Sequence, residues 1–339
     1  MVKTALVGAT GYTGLELLKI LIRHPHAEIV SLSAKLDRPV RIQEEFPVLE
    51  GRIDRECAPL DAEEVADLAD AIFLALPHTV SMRFAPVFLK AGKKVIDLSA
   101  DYRFSDSRVY REWYGVDHLH PEGLKTAVYG LTELFRSRIA SARLIANPGC
   151  YPTGTILGVY PVLAEKLIDS ERIVVDAKTG VTGAGRKASL SLLFPEVNEN
   201  FKAYNLTSHK HTPEMNLVLQ ELTGMNVEIE FGPHLLPVNR GILSTIYLKL
   251  IKPVTEEKVW DVFHRRYGGE RFIRLLPPPR LPELKDVVET NNCAIGFRVN
   301  RRTNNLIVVT AIDNLLKGAA GQAVQNFNAM EGWPEETGL

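Results

Sequence analysis

The sequence predicts an α/β protein in which a doubly wound parallel sheet is followed by a second domain built on an antiparallel or mixed sheet. Three observations predict it. A glycine-rich turn joins the first apolar run to a segment of helical periodicity. Apolar runs then alternate with helical segments as far as Leu144. Beyond Cys150 the apolar segments alternate residue by residue, as strands with one buried face do.

A length of 339 residues suggests two domains. The apolar fraction of 45% and charged fraction of 24% are those of a soluble globular enzyme. A net charge of −1 gives no electrostatic case for nucleic acid or an anionic membrane. No apolar run approaches the ~20 residues of a membrane span. Cys57, Cys150 and Cys293 lie too far apart for a disulfide framework or a metal-ligand pattern, which suits a reducing cytoplasm. Met1-Val2-Lys3 leads straight into a strand, leaving no room for a signal peptide.

The first strand is Thr4-Ala5-Leu6-Val7. Gly8-Ala9-Thr10-Gly11-Tyr12-Thr13-Gly14 follows, and a helix begins at Leu15. This is the Rossmann-type frame: a tight turn, close backbone approach to a pyrophosphate, and a helix packed close on its strand. Gly8, Thr10, Gly11, Tyr12, Thr13 and Gly14 are therefore candidate cofactor contacts. The second strand is Glu28–Leu32. Where an NAD site often carries an acid for the ribose, this chain has Ser33, Lys35 and Arg38. A hydroxyl and two cations suit a 2′-phosphate, so the expected cofactor is NADP; an ordinary solvated basic loop has the same composition.

The strand Ala71–Leu76 ends in Pro77-His78, and Lys94–Ser99 ends in Ala100-Asp101-Tyr102-Arg103, with a helix over 80–91 between them. Arg143–Ala146 is a strand leading into Asn147-Pro148-Gly149-Cys150. Ligand-binding groups gather at the carboxyl ends of parallel strands. Pro77, His78, Arg103 and Cys150 all fall there, and Asn147 in the same turn is a candidate substrate contact.

Pro148 and Gly149 force a tight turn, and the chain continues to Ala164 as a buried helix with Pro152 in its first turn. Cys150 thus sits at or just before a helix N-terminus. Unpaired N–H groups and the positive end of the helix dipole favour a thiolate there and stabilise an oxyanion. A cysteine that only packs needs neither feature.

Arg172–Ala177 reads as a strand. The small-residue loop Thr179–Arg186 is fit to wrap a phosphate or a nicotinamide face, with Gly183, Gly185 and Arg186 as candidates. Further strands fall at 227–231, 241–248, 294–299 and 306–312, and Pro277-Pro278-Pro279 forms a rigid surface loop. One face of this sheet packs on helices; the other is a natural place for a partner subunit. A final helix over 313–328, rich in small residues, returns to pack on the first sheet. The expected domains are 1–149 with 314–339, and 150–313. Asn314 either offers its amide to the nicotinamide or caps the helix.

His209 and His211 stand two apart, with Glu214 three further on. A metal site would need another ligand, and nothing fixes His78 or His234 nearby, so no metal is expected. The alternative is a Cys–His pair in which an imidazole acts as base and then as acid, with Glu214 holding its tautomer. His211, beside Glu214 at a helix entrance, is preferred over His209.

The segments Gly8–Gly14, Leu76–His78, Leu98–Arg103, Asn147–Thr153, Gly180–Arg186, His209–Glu214, Pro233–Pro237 through Arg240-Gly241, and Asp313–Gly318 span nearly the whole chain in order. Together they resemble the N-acetyl-gamma-glutamyl-phosphate reductase family of arginine biosynthesis. The resemblance implies a glyceraldehyde-3-phosphate-dehydrogenase-like α+β C-terminal domain, NADPH, and a homo-oligomer, often a tetramer. By position it implies Cys150 as nucleophile and His211 as acid–base group. Arg103, helped by Arg186 or Arg240, would then hold the phosphate leaving from a small-molecule acyl phosphate. A lysine-biosynthesis relative that acts on a carrier-linked aminoadipyl phosphate shares these motifs; the near-neutral charge favours the free substrate. The aspartate-semialdehyde dehydrogenase branch carries a His after its Pro-Val-x-x-Gly turn. Here Pro237-Val238-Asn239-Arg240-Gly241 is followed by Ile242, which moves the base to the His209/His211 segment.

Overall fold

The computed structural model describes all residues from Met1 to Leu339. The chain forms two units, Met1–Pro148 with Ala319–Leu339, and Gly149–Gly318. The second crossing thus lies five residues later than the sequence suggested, because Asp313 and Asn314 hydrogen-bond to loops of the second unit.

The first unit holds β1 (Val2–Val7), β2 (Ala27–Ala34), β3 (Val40–Arg41), β4 (Glu56–Pro59), β5 (Ala71–Leu74), β6 (Lys94–Asp97), β7 (Val128–Tyr129) and β8 (Leu144–Ala146). Their order in the sheet is β3-β4-β2-β1-β5-β6-β8-β7, parallel except for β3 with β4. The chain reverses its winding at β1, which lies between β2 and β5, and the glycine turn follows directly. This is where an open α/β sheet binds its ligand.

Two of the three glycines there are obligatory. Gly8 has φ +92°, and a Cβ on it would lie 2.2 Å from the carbonyl oxygen of Ala75. A Cβ on Gly14 would lie 2.5 Å from Gly8 O and 2.6 Å from Ala9 O. These contacts let the Tyr12–Leu21 helix sit against its own strand. Gly11 is different: its Cβ would meet nothing closer than Gly8 O at 3.6 Å.

The returning segment is not one helix over 313–328. Asp313 accepts the N–H groups of Leu315 and Leu316 at 2.8 and 3.0 Å and caps a π-helical turn over Leu316–Ala320. The closing helix then runs over Gly321–Glu331. It packs on β6 and on the helices Tyr12–Leu21 and Thr132–Ile139. Small residues do not alone hold it. Asn326 Nδ2 donates to Gly130 O at 2.7 Å and to Asn147 Oδ1 at 3.0 Å, while Asn326 Oδ1 accepts from Thr132 Oγ at 2.7 Å. Gln325 Nε2 donates to Glu133 Oε1 at 3.0 Å. Removing one member strands its buried partners, which costs more than the bond itself contributes. Asn326→Leu is therefore expected to lose on the order of 3 kcal/mol from the first unit, read as an earlier first transition in calorimetry.

The second unit holds β9 (Ile168–Thr179), β10 (Lys202–Ala203), β11 (Ile229–Leu235), β12 (Ile242–Leu250), β13 (Ile273–Leu275), β14 (Cys293–Asn300) and β15 (Asn305–Ile312). Their order is β10-β11-β9-β12-β15-β14-β13, a mixed sheet in which β11 runs parallel to β9 and β13 to β14. Alternation on β12 buries Ile242, Ser244, Ile246 and Leu248 on one face and leaves Tyr247 40% exposed on the other.

The Cys150–Ala164 helix covers the buried face, flanked by the helices Thr212–Thr223 and Glu256–Tyr267. Gly158 lets it approach closely, since a Cβ there would lie 2.8 Å from Thr310 Cγ2. Pro161, inside this helix, has no N–H for the carbonyl of Leu157. The Tyr267 hydroxyl supplies the missing donor at 3.0 Å.

Candidate active site

Cys150 is the first residue of its helix and is half-buried. The preceding Gly149 is extended, with φ −67° and ψ 153°. Its N–H donates to Glu214 Oε1 at 2.8 Å, and Glu214 is fully buried. Glu214 thus fixes the turn that aims the sulfur. Gly318 crosses directly over Cys150, where a Cβ would lie 2.8 Å from the cysteine Cβ.

Tyr151, the next residue, gathers both histidines. Its ring lies 5.5 Å from His209, 5.9 Å from His211 and 5.1 Å from Phe231, and the two imidazoles are 4.9 Å apart. Its hydroxyl bonds the Tyr204 hydroxyl at 2.8 Å. Burial first, and then the charge of Tyr204, pushes the Tyr151 phenol up; burial, and to a lesser extent the charge of Cys150, push Tyr204 up against the opposing hydrogen bond from Tyr151. Both phenols remain protonated beside the sulfur.

The two histidines differ in kind. Burial among Tyr151, Tyr204 and Phe231 pushes His209 down to about 4. Its Nδ1 accepts the backbone N–H of His211 at 3.1 Å, which puts its proton on Nε2. The His209 ring therefore stays neutral at neutral pH.

This has a consequence for stability. The unfolded His209 takes up a proton below about 6.5 and the folded one only near 4, so folding stability is lost as the pH drops from about 6.5 towards 4, by up to about 3 kcal/mol. Denaturant midpoints at pH 7 and pH 5 should therefore differ more for the parent protein than for His209→Phe.

A second cluster in this unit joins three sequence motifs. Gly180 N–H donates to Gly241 O at 2.9 Å and Val181 N–H to Val238 O at 2.9 Å, fastening the small-residue loop to the 237–241 turn. Asn314 bridges them: its Oδ1 accepts Gly241 N–H at 2.7 Å, and its Nδ2 donates to Thr182 Oγ at 2.9 Å. Asn314, expected as a cofactor amide or a helix cap, here pins the two loops together, and the capping falls to Asp313. Arg240, expected near the phosphate, places its Nε 3.0 Å from Oδ2 of the fully buried Asp313, so its cation is paired with a carboxylate. Arg186 is exposed at the loop end, Gly185 has φ +78°, and Gly183 has room for a side chain. No group of three or more His, Cys, Asp or Glu is arranged to hold a metal ion.

In the first unit, the glycine turn is held by Ser33, whose carbonyl accepts Gly8 N–H at 2.7 Å and Ala9 N–H at 3.1 Å. The Ser33 side chain is buried, so its contribution is to the turn, while Lys35 and Arg38 stand exposed just beyond β2. Thr10 to Thr13, around the helix start, are half-exposed. Backbone N–H groups at an accessible helix start, with only hydrogen at Gly11, fit the diphosphate of a dinucleotide.

His78 Nδ1 accepts Ala100 N–H at 3.0 Å, joining Pro77-His78 to the 98–103 segment. Arg103 is buried: Nε donates to Asn147 O at 2.8 Å and Nη2 to Leu98 O at 3.0 Å. Asn147 is fully buried, donating to Ala319 O at 3.1 Å and accepting from Asn326. Both were expected to touch substrate; the bonds they make here fasten strand ends.

Sequence reasoning missed the acids beneath this edge. Asp101 accepts Thr79 N–H, Met82 N–H and the Tyr110 hydroxyl at 2.7, 3.0 and 2.8 Å. Asp97, fully buried beside it, is pushed up by burial and then by the Asp101 charge. An aspartate ending an apolar strand, as in Val95-Ile96-Asp97, was the available signal.

Residues 3–142 match the family model described as semialdehyde dehydrogenase, NAD binding domain, and residues 150–314 match semialdehyde dehydrogenase, dimerisation domain. The chain is 49% identical over 338 residues to the N-acetyl-gamma-glutamyl-phosphate reductase of Pelotomaculum thermopropionicum, covering 100% of this chain and 97% of that protein. It is 49% identical over 340 residues to the reductase of the same name from Geobacter sulfurreducens, covering 100% and 98%. Among solved structures, aspartate semialdehyde dehydrogenase II of Vibrio cholerae, complexed with ASA, is similar at a TM-score of 0.73 and 18% identity, covering 98% of both chains. The Candida albicans aspartate semialdehyde dehydrogenase with NADP has a TM-score of 0.70 at 16% identity, covering 98% of both chains.

Proposed function

The chain belongs to the semialdehyde dehydrogenase family, among its N-acetyl-gamma-glutamyl-phosphate reductases, and on that premise we propose that Cys150 carries the acyl group during the NADPH-dependent reduction of N-acetyl-gamma-glutamyl phosphate. The product is N-acetylglutamate 5-semialdehyde, and phosphate is released. The observation that supports this reading best is the position of Cys150: first residue of a buried helix, next to the tyrosine that gathers His209 and His211.

The thiolate attacks the acyl phosphate carbonyl, a carbon–sulfur bond forms, and phosphate departs with the bonding pair. The helix-start N–H groups stabilise the oxyanion on the way. NADPH, when bound, supplies the hydride that reduces the resulting thioester. His211, protonated, gives a proton to the oxygen that the hydride leaves negative, and takes it back as the thiohemiacetal collapses and the sulfur leaves as thiolate. His209 holds the His211 backbone, and Glu214 holds Gly149. Arg186, exposed at its loop end, suits the departing phosphate. The carrier-linked lysine alternative is not favoured, since the full-length relatives are reductases of N-acetyl-gamma-glutamyl phosphate.

The test is NADP reduction with N-acetylglutamate semialdehyde and phosphate, beside aspartate and carrier-linked semialdehydes. Turnover is expected with the first alone; equal turnover with another would reassign the substrate. Lys35 and Arg38 support NADP over NAD. Lys35→Ala/Arg38→Ala is expected to raise KM for NADPH on the order of 30-fold while leaving KM for NADH nearly unchanged, about 2 kcal/mol of lost phosphate contacts.

A further inference from the structure

Thr79 has φ +69°. A β-branched residue in the left-handed region crowds its own backbone, so this conformation persists only where neighbours enforce it. The enforcing group is Asp101. Its fully buried carboxylate accepts the Thr79 N–H at 2.7 Å and the Tyr110 hydroxyl at 2.8 Å on Oδ1, and the Met82 N–H at 3.0 Å on Oδ2. Asp101 is itself fixed: its N–H donates to Ser99 Oγ at 3.1 Å, and its carbonyl is bonded to His118 Nε2 at 2.7 Å. Residues 77–80 form a closed turn ahead of the helix Ser81–Lys90, with Val80 N–H on Pro77 O at 3.3 Å.

Backbone strain gathers where a ligand is clamped, and this turn stands beside the glycine turn. Ala75 N–H donates to Val7 O at 2.8 Å, and a Cβ on Gly8 would lie 2.2 Å from Ala75 O. In the sheet, β2 flanks β1 on one side and β5 on the other. Lys35 and Arg38, the groups suited to the ribose phosphate, follow β2. A dinucleotide whose diphosphate lies on the glycine turn therefore extends its nicotinamide half over the end of β5. His78 is exposed there, and its Nδ1 accepts the Ala100 N–H at 3.0 Å, which puts its proton on Nε2 as a donor.

We propose that Asp101 and Thr79 are positioning residues for the dinucleotide: the carboxylate holds Thr79 left-handed, and the turn so formed presents Pro77 and His78 to the nicotinamide half. The proposal rests on the reading that the glycine turn holds NADPH. Asp101, fully buried, acts through the Thr79 backbone. Without that acceptor Thr79 returns to negative φ, the turn opens, and binding must reorder it at a loss of affinity. Glycine would adopt the same φ unaided, whereas threonine needs the carboxylate.

The experiment titrates each protein with NADPH, followed by the cofactor's fluorescence, with thermal melts and steady-state rates on the same preparations. Thr79→Pro fixes φ near about −65° and removes the N–H. Its Kd for NADPH is expected to rise on the order of 30-fold, while Thr79→Gly stays within about 3-fold of the parent. Asp101→Ala is expected to raise Kd on the order of 30-fold, and Asp101→Ala/Thr79→Gly to recover most of that loss. KM for NADPH should move with Kd, and KM for the acyl phosphate should stay within about 2-fold. An Asp101 that only stabilised the fold would lower Tm without this split and without rescue by glycine. Should Asp101→Ala fail to fold, the two Thr79 variants decide the matter. Parent-like affinity in Thr79→Pro or in folded Asp101→Ala, lost binding in Thr79→Gly, or a double variant without recovery would each overturn the proposal. A parent that binds no NADPH would overturn the dinucleotide site itself and this proposal with it; parent binding with unchanged variants would overturn the proposal alone.

Discussion

Replacing Cys150 with serine is expected to lower kcat on the order of 10⁴-fold, about 5.5 kcal/mol of barrier, while leaving the melting temperature within about 1 °C. Serine is close to isosteric at this half-buried first helical position. The turn is fixed by Glu214 through the Gly149 backbone, which the substitution does not touch. What is lost is the ionisable sulfur. A hydroxyl is almost wholly protonated at neutral pH, and the ester it would form accepts hydride less readily than a thioester. Steady-state rates and a thermal melt on the same preparation check both halves. A serine variant with a tenth of the parent activity would mean that the acyl group travels another way.

Gly318→Ala is expected to lower kcat on the order of 100-fold with little change in dinucleotide affinity. The new methyl would sit 2.8 Å from Cys150 Cβ and 3.2 Å from its Cα, and neither side yields easily. Cys150 begins a helix whose next nine residues, through Val159, are buried. Gly318 N–H is tied to Asp313 O at 2.9 Å, and Asp313 is itself held by Leu315, Leu316 and Glu289 N–H groups. The strain therefore displaces the sulfur. A misplacement on the order of 1 Å costs about two decades in rate. Alkylation of Cys150 by iodoacetamide should slow in parallel, since the reagent reports the same geometry. A folded variant with parent kcat would contradict the close crossing.

The parts of the protein that follow from short-range rules were legible in its sequence. The parallel strands, the glycine turn after β1 and the helix after Cys150 each have a local signature. In each the structure supplies the reason: Gly8 and Gly14 have no room for a Cβ, and Gly149 is extended before the helix. Pairing Cys150 with the His209/His211 segment rested on resemblance and on chemistry, and Tyr151 is the physical link that joins them.

A polar side chain in a motif does not say which other parts of the chain it also engages. Asn147, Arg103, Asn314 and Arg240 all read as ligand contacts. The structure engages each with a carbonyl, an amide or a carboxylate far away in sequence. The closing helix was read from its small residues alone, yet Gln325 and Asn326 are fully buried in it and bonded to Glu133 and Gly130. Tyr204 carried no local signal at all, because its partner Tyr151 is 53 residues away.

The central claim is that Cys150 is acylated before reduction. The most direct measurement mixes the protein with N-acetyl-gamma-glutamyl phosphate in the absence of NADPH, quenches in acid and maps the adduct by peptide mass spectrometry. The account predicts one acyl group on the peptide containing Cys150, discharged to semialdehyde when NADPH is added before the quench. An adduct on another side chain, or turnover by a protein that never becomes acylated, would contradict it.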